Sequence, residues 1–354
     1  MHALQIMSLL GYTLLLPLGL QAATSGGFVV EWGWNTAAGV AMPAKQVTSD
    51  AVAISAGTFH SLALKSDGTV YGCGGDVLGA VLGSKPSGPL VTNGTVKTGG
   101  QILSNVVSVA ASREFSLALK RNGTVVTWGR NYVPEGVSNV VAIAAEESVS
   151  WILKRDGTVV GWLNDPSSNG YGQLLPVEGL SNVVAFAVGP GGWGTRGVAL
   201  KRNGTVGHWG NESDHKDATP PVGLSNVVAV AAGASHSLAL KSNGTVVGWG
   251  WNKFGEATGI PMTNAPNPLF CFSAGQVRIE GQILSNVVSI AAGRGYSLAL
   301  KKDGTVVAWG RMVNGQYPAT APEGLSNVVA IAAGAEDFCL AITTNRAVAE
   351  RFHQ

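Results

Sequence analysis

The hydrophobic and polar positions of this chain recur as one unit of short, strand-like segments. Ser225 to Gly250 reads SNVVAVAAGASHSLALKSNGTVVGWG, and Ser104 to Gly129 and Ser285 to Gly310 repeat it with few changes. Weaker copies begin at Ser49, Ser138, Ser181 and Ser326. Seven starts at a mean spacing of roughly 46 residues are typical of the blades of a propeller.

Each unit contains three segments with the pattern of a β-strand. A Val- and Ala-rich segment comes first, a Ser-Leu-Ala-Leu-Lys segment second, and a Thr-Val-Val-Gly-Trp-Gly segment third. Small side chains suit a strand near a crowded axis, and a sheet with one bulky and one flat face can stack on a copy of itself. Six copies of the Trp, which we expect to anchor blade to blade, are Trp32, Trp128, Trp162, Trp209, Trp249 and Trp309.

A Gly-containing pair separates the second and third segments in six units. The pairs are Asp67-Gly68, Asn122-Gly123, Asp156-Gly157, Asn203-Gly204, Asn243-Gly244 and Asp303-Gly304. Both central residues of a type I′ turn need a positive φ, which Asn-Gly and Asp-Gly tolerate best. We therefore predict a two-residue hairpin at each pair.

The last unit lacks its third segment, and a matching segment stands at the other end of the chain. The pattern is lost at Asn345-Arg346, whereas Phe28 to Gly33 reads FVVEWG. A strand from the N-terminus can complete the last sheet and remove the exposed edges of an open array. The sequence thus predicts an all-β, seven-bladed β-propeller over residues 24–354, closed by the N-terminal strand.

The unit resembles the repeat of the regulator of chromosome condensation family, from about Phe28 to Thr343. The Asn-x-x-Gly-Glu/Gln motif of that family is kept at Asn252 to Glu256. The layout is most similar to secreted bacterial members, which include propeller-type β-lactamase inhibitory proteins. The resemblance implies a propeller that binds a protein, and inhibition of a β-lactamase or another enzyme is one alternative that it leaves open.

The N-terminus has the pattern of an export signal. No charged residue occurs from Ala3 to Val30, Ile6 to Leu20 is nearly all apolar, and the small residues Ala22 and Ala23 follow. The apolar run is shorter than the roughly 20 residues that span a bilayer. We expect a signal peptide at residues 1–23 and a secreted, periplasmic or cell-surface protein without a membrane span; an uncleaved anchor is the alternative.

Charge argues against a nucleic-acid partner. The chain has 23 basic and 21 acidic residues and no basic tail, so long-range attraction to a polyanion is weak. Ten basic residues nevertheless mark the predicted hairpin turns: Lys65, Lys120, Arg121, Lys154, Arg155, Lys201, Arg202, Lys241, Lys301 and Lys302. This ring fits either solubility and edge protection or binding of an acidic glycan.

The sequence contains no motif of a known catalytic, metal or cofactor site. GxSxG, HExxH, Walker and dinucleotide fingerprints are all absent, and the three Cys residues lack the spacing of zinc ligands. His60 and His236 share a repeat position that holds Phe, Val, Arg or Tyr elsewhere, which indicates a packing role. Cys73 replaces a Trp and is interpreted as a buried thiol, and Cys271 as the most exposed one. We predict no catalytic residue, no metal and no cofactor.

The loops after the Ala-Ala-Gly position are the candidate binding surface. They differ from unit to unit, and all follow the same strand, so they meet at one end of the ring. The candidate partner-binding residues are Phe59, Arg113, Glu114, Glu147, Trp193, Arg294, Glu336 and Asp337. Trp193 stands in a Gly-rich insertion and is the expected main anchor, because Trp dominates binding hot spots.

Other functions remain open. An extracellular lyase or glycosidase would need convergent carboxylates at the propeller mouth, for which Glu114, Glu147 and Asp337 are the candidates. Guanine-nucleotide exchange, as in the nuclear members of the family, conflicts with the export signal. Loops that are simply solvated are the plainest alternative. We expect a monomer that binds a protein, or an acidic glycan, through one face.

Overall fold

The computed structural model describes ten stretches of the chain. They are residues 26–33, 49–75, 79–83, 91–164, 173–189, 196–210, 219–262, 271–312, 317–334 and 338–352. The predicted signal peptide at residues 1–23 lies outside them. Within these stretches no helix is long and apolar enough to cross a membrane.

Nearly all regular structure is β-strand. The first strands are β1 (Phe28–Gly33), β2 (Ala51–Ala56), β3 (His60–Lys65), β4 (Val70–Gly75), β5 (Val91–Thr95), β6 (Lys97–Thr98), β7 (Gln101–Ile102), β8 (Val106–Ala111), β9 (Phe115–Lys120), β10 (Val125–Gly129), β11 (Val140–Glu146), β12 (Val149–Lys154), β13 (Val159–Leu163) and β14 (Leu175–Pro176). They continue with β15 (Val183–Gly189), β16 (Arg196–Lys201), β17 (Val206–Trp209), β18 (Val227–Ala232), β19 (His236–Lys241), β20 (Val246–Trp251), β21 (Phe272–Gln276), β22 (Arg278–Ile279), β23 (Gln282–Ile283), β24 (Val287–Ala292), β25 (Tyr296–Lys301), β26 (Val306–Met312), β27 (Tyr317–Pro318), β28 (Val328–Ala333) and β29 (Phe338–Thr343), and α1 (Arg346–Arg351) follows.

The strands form seven antiparallel sheets of three or four strands, which we call blades 1 to 7. Their strand orders are β2-β3-β4-β5, β8-β9-β10, β11-β12-β13-β14, β15-β16-β17, β18-β19-β20-β21, β24-β25-β26-β27 and β28-β29-β1. Two small hairpins, β6-β7 and β22-β23, connect blade 1 to blade 2 and blade 5 to blade 6. The predicted all-β propeller fold is confirmed.

The innermost strands form a ring, and β1 completes the last blade. Each of β2, β8, β11, β15, β18, β24 and β28 contacts the next, and β28 contacts β2. Strand β1 pairs antiparallel with β29 over its whole length, from Phe28 opposite Thr343 to Gly33 opposite Phe338. This pairing is what closure by the N-terminal strand requires.

A left-handed residue at the start of each blade explains the repeated Ser-Asn. Asp50, Asn105, Asn139, Asn182, Asn226, Asn286 and Asn327 all have positive φ, between 54° and 65°. Asn tolerates this conformation better than most residues. The carbonyl oxygen of Asn105 accepts a hydrogen bond from the Arg121 amide (2.9 Å), and the Val106 amide donates to Gly68 of the preceding blade (3.0 Å). The motif thus ties one blade to the next.

The hairpin turns differ from the predicted type. Gly68 has a φ of 80°, but neither Asp67 nor Asn122 has a positive φ. The Gly68 amide donates to the Lys65 carbonyl (2.9 Å), and the Lys65 amide donates to Thr69 (2.9 Å). The loop is therefore a three-residue turn that ends in a left-handed Gly. The two-residue prediction was wrong because Asp and Asn instead accept a hydrogen bond from the Thr two residues later, as Asp67 does from Thr69 (2.8 Å).

The blades pack as the alternation of large and small residues predicts. In blade 5, Leu238 and Leu240 belong to the cluster shared with blade 6, whereas Ala239 faces blade 4. The repeated Trp residues lie in these interfaces: Trp162 is fully buried and its Nε1 donates to the Tyr132 carbonyl of blade 2 (3.0 Å). These contacts make the disc a rigid support for its loops.

The three cysteines all lie within the described residues and form no disulfide bond, and two of them are placed differently from the expectation. Cys271, predicted to be the most exposed, is 2% exposed. Its carbonyl accepts the Asn252 amide (2.6 Å), which ties the end of the long insertion back to its start. Cys73 is only half-buried, because a small side chain fills the place of a Trp. Burial still raises the pKa of the Cys73 thiol to about 12.

Candidate functional site

The strand directions give the disc two different faces. The loop face carries the loops between the first and second strand of each blade, such as residues 57–59 and 112–114. The turn face carries the hairpin turns between the second and third strands, such as residues 66–69 and 121–124. Because the strands are antiparallel, these connections lie at opposite strand ends.

On the loop face, side chains of blades 1 and 2 form two neighbouring pairs, which start from the consecutive residues Arg113 and Glu114. The Arg113 guanidinium lies 5.7 Å from the centre of the Phe59 ring, a cation–π distance. Glu114 forms an ion pair with Arg130 (3.4 Å), and the Arg130 amide donates to the Glu114 carbonyl (3.0 Å). Three predicted residues are thus brought together, and Arg130 joins them although the sequence reasoning missed it. In the sequence, the position of Arg130 directly after a Trp-Gly strand was the one feature that could have indicated it.

Glu147 extends these contacts to blade 3. The Ser112 hydroxyl of blade 2 donates to the Glu147 carbonyl (3.1 Å), and Glu147 has a φ of 33°, which is uncommon for a side chain of this size. A side-chain-to-backbone hydrogen bond therefore joins the neighbouring loops of blades 2 and 3. We call Phe59, Arg113, Glu114, Arg130 and Glu147 the loop-face cluster.

Of the other predicted binding residues, one lies within the described stretches. Arg294 is exposed on blade 6, away from blades 1 to 3 in the ring. Trp193, Glu336 and Asp337 lie outside the described residues. Their part in a binding surface stays a prediction.

A cavity of about 180 Å³ lies on the ring axis, lined by the innermost strands of all seven blades. Its walls are mostly Ala, Val and Ile, and its polar side chains are Ser55, Thr58, Ser112, Glu146 and Glu147. Glu146 is 9% exposed and takes the place of the repeated Gly. The replacement of the repeated Gly by Glu could have indicated from the sequence that Glu146 lines the cavity, but it was not used for that prediction. Within the described residues, no group of three potential metal ligands occurs.

The repeat position of His60 and His236 is a link between blades. His60 Nε2 hydrogen-bonds with Ser116 Oγ of blade 2 (2.7 Å), and His236 Nε2 with Ser297 Oγ of blade 6 (2.8 Å). In blade 6, the Tyr296 hydroxyl donates to the Phe338 carbonyl of blade 7 (2.8 Å). These contacts support the interpretation as a packing position.

The hydrogen bonds also fix the protonation of both imidazoles. Ser116 donates its only hydroxyl proton to the Ala80 carbonyl (2.8 Å), so Nε2 of His60 must be the donor. Nδ1 then carries no proton, and it has no hydrogen-bond partner within the described residues. Burial therefore lowers the pKa of His60 to about 4, and burial together with the Arg196 charge lowers the pKa of His236 to about 3.

The pKa values of two carboxyls shift upward, that of the half-buried Glu31 and that of the buried Glu256. Burial raises the pKa of Glu31 to about 7, although a hydrogen bond from the Ser61 hydroxyl (2.9 Å) partly opposes the shift. Burial likewise raises the pKa of Glu256 to about 7. Glu31 lies on β1 and Ser61 on β3, so this hydrogen bond crosses the junction of blades 7 and 1.

These shifts predict compensating effects of pH on stability. The histidine contribution is present above pH 6.5 and is lost as the pH falls through about 4, at up to about 1.4 kcal/mol per pH unit for each His. The carboxyl contribution is present below pH 4.5 and is lost as the pH rises to about 7. Between pH 4.5 and 6.5 the two effects oppose each other in the wild-type protein.

The His60→Phe, His236→Phe double variant should remove the histidine effect on stability and leave the carboxyl effect. Phe occupies the same position in blades 2 and 7, so the fold accepts it. We expect the melting temperature of the variant to rise as the pH is lowered from 6.5 to 4.5, while that of the wild type stays nearly constant. Circular-dichroism melts at several pH values measure both. If the melting temperatures of the two proteins changed with pH in the same way, the lowered pKa values of His60 and His236 would be contradicted.

Comparison with known proteins identifies the repeat. Four segments, residues 51–79, 106–133, 227–256 and 287–316, match the regulator of chromosome condensation (RCC1) repeat. They correspond to blades 1, 2, 5 and 6. The ultraviolet-B receptor UVR8 of Arabidopsis thaliana is 36% identical over 115 residues, which are 32% of this chain and 24% of the receptor. Protein pim1 of Schizosaccharomyces pombe is 27% identical over 73% of this chain and 47% of its own length. The matches thus span a quarter to a half of these curated relatives.

A solved structure matches over nearly the whole chain. Prp20p from Saccharomyces cerevisiae, described with its binding to Gsp1p and histones, superposes with a TM-score of 0.70. The match covers 94% of this chain and 95% of Prp20p at 18% identity, so the likeness concerns the fold. The chain thus contains four segments that match the RCC1 repeat, in blades 1, 2, 5 and 6, and its fold is similar to that of a solved RCC1-type propeller.

Proposed function

We propose that this protein is an exported, non-enzymatic propeller that binds a protein partner through its loop face. The observation that carries the proposal is the loop-face cluster, in which the Phe59–Arg113 cation–π pair and the Glu114–Arg130 ion pair lie on adjacent loops of a rigid ring. Arg and aromatic residues dominate the energetics of protein interfaces. Export rests on the apolar, uncharged pattern of residues 3–30. Binding of Gsp1p and histones is described for Prp20p. From this likeness we infer protein binding in general, and not those particular partners.

The experiment is capture by the purified chain of residues 24–354 from the culture fluid of the source organism. Phe59→Ala and Arg113→Ala should each weaken capture about tenfold, because both remove the cation–π pair from the surface. Trp193→Ala, the expected anchor, should weaken it by about 2 kcal/mol or more. The matched control is Arg346→Ala, which removes an Arg with a 74% exposed side chain on α1.

Each variant is judged by binding and by melting temperature together. Loss of capture at an unchanged melting temperature supports the proposal. Equal capture by all variants would move the binding surface away from the loop face, and capture of an acidic glycan in place of a protein would change the class of partner.

The second candidate function is an enzyme with its site at the axial cavity. The adjacent carboxylates Glu146 and Glu147 at the cavity mouth are the observation in its favour. The predicted Glu114 is instead paired with Arg130. Hydrolysis or elimination on polysaccharide substrates that is lost in Glu147→Gln would favour this alternative over binding alone.

A further inference from the structure

The turn face of blades 2 to 5 carries an excess of basic side chains. Among the described residues of these turns and linkers, the cations are Lys120, Arg121, Lys154, Arg155, Lys201, Arg202 and Lys241, and the carboxylates are Glu135, Asp156 and Glu178. Arg121, Arg155 and Arg202 occupy the same exposed turn position in three consecutive blades. None of the seven cations forms an ion pair with a described residue. This sector is therefore a positively charged surface in a chain with few charges.

Several of the linkers that lead into this sector and into blade 6 expose large apolar side chains. The six most exposed in the described residues are Ile102 (54%), Leu175 (46%), Val222 (104%), Val228 (36%), Ile260 (51%) and Ile283 (40%). All except Ile260 lie on the linkers or strand starts that lead into blades 2, 4, 5 and 6.

Backbone hydrogen bonds place these linkers beside the basic turns. Ile102 lies three residues before Asn105, whose carbonyl accepts the Arg121 amide (2.9 Å). Val228 follows Val227, whose amide donates to Gly204 in the turn of blade 4 (3.0 Å). The exposed Ile102 and Val228 thus lie in segments that are hydrogen-bonded to, or directly precede residues hydrogen-bonded to, the basic turns of blades 2 and 4.

We propose that the turn face of blades 2 to 5 docks on a lipid surface with anionic headgroups. Basic side chains alone would suit any polyanion, but exposed Ile and Val side chains gain nothing from a soluble, hydrated polymer. An anionic bilayer offers both complements, since its headgroups attract Lys and Arg while its acyl boundary accepts apolar side chains. Docking in this orientation leaves the loop face pointing away from the lipid, and it does not depend on what the loop face binds.

The test is co-sedimentation of the full chain with vesicles of phosphatidylcholine alone and of phosphatidylcholine mixed with phosphatidylglycerol. We expect binding to the mixed vesicles, weakened by salt, and far weaker binding to the neutral ones. The Arg121→Gln, Arg155→Gln, Arg202→Gln variant should bind roughly 100-fold more weakly, from about fivefold for each basic residue near an anionic surface.

Apolar variants separate lipid from soluble polyanions. The Ile102→Ser, Val222→Ser variant should bind the mixed vesicles about tenfold more weakly, because less apolar surface enters the bilayer. The matched controls are Arg346→Gln and Ile260→Ser, which remove an exposed Arg and an exposed Ile outside the sector and should leave binding unchanged. Melting temperatures verify folding, and the single variants Arg155→Gln and Val222→Ser replace any multiple variant that fails to fold.

Three results would overturn the proposal. One is equal binding to neutral and anionic vesicles, and another is no binding to either. The third is binding that depends on the Arg residues but not on Ile102 and Val222 and that dextran sulfate or DNA abolishes equally well, which would indicate a surface for soluble polyanions.

Discussion

Deletion of β1, residues 28–33, should abolish the single cooperative unfolding transition of the protein. Val29 and Val30 are buried on this strand, and Phe28 and Trp32 pack against the same cores. Each fully buried side chain of this size contributes about 1.5–3 kcal/mol. A loss of about 5 kcal/mol or more approaches the whole stability of a domain. We expect a melting temperature lower by about 10 °C or more, or no transition at all, in calorimetry.

A peptide added in trans distinguishes loss of the strand from general damage. A peptide of residues 26–33 should restore the transition of the deleted chain, because it supplies the partner of β29. The same peptide carrying Val30→Asp should fail, since Val30 is fully buried. A deleted chain that melts like the intact one would show that β1 does not close the ring.

The Trp162→Ala variant should lose about 3–5 kcal/mol of unfolding free energy. Trp162 is fully buried between blades 2 and 3, so its removal leaves a cavity, and the Tyr132 carbonyl loses the hydrogen bond from Nε1. Urea unfolding monitored by circular dichroism measures the difference.

Trp251→Ala is the matched control. Trp251 is half-buried, lies two residues beyond the repeated Trp, and its ring centre is 5.3 Å from that of Phe272. Its removal should cost about 1 kcal/mol, in the range of a single aromatic pair. Equal losses for the two variants would mean that the repeated Trp does not anchor blade to blade.

The ring of blades could be predicted because the unit repeats, whereas the local backbone geometry could not be predicted from the pattern. The unit repeats seven times, so each strand was supported by several copies, and the unmatched FVVEWG segment had one place to pair. The turn type was wrong because the hydrophobic pattern is the same for two-residue and three-residue hairpins. The left-handed Asn at each blade start was visible as Ser-Asn, but its conformation follows from backbone contacts between blades.

The candidate site was predictable only where it follows the repeat. Phe59, Arg113, Glu114 and Glu147 were found because variable residues interrupt a constant unit at one position. Arg130 and Glu146 were missed because their roles depend on how neighbouring loops and the axial cavity come together. The burial of Cys271 was not predicted, because an insertion lies outside the repeat and its sequence has no periodic pattern that indicates burial.

The pairing of β1 with β29 determines how the ring responds to mechanical force. Phe28 lies opposite Thr343, so the N-terminal end of β1 and the C-terminal end of β29 are neighbours. Tension between these two residues would load the hydrogen bonds of the pair one after another, in an unzipping geometry, and not all together in shear. Rupture under force is governed by the barrier of the first step. A molecule stretched at these points would therefore open within blade 7, between β1 and β29, while blades 2 to 6 are still folded, and a partner that bridges these two strands would act as a clamp.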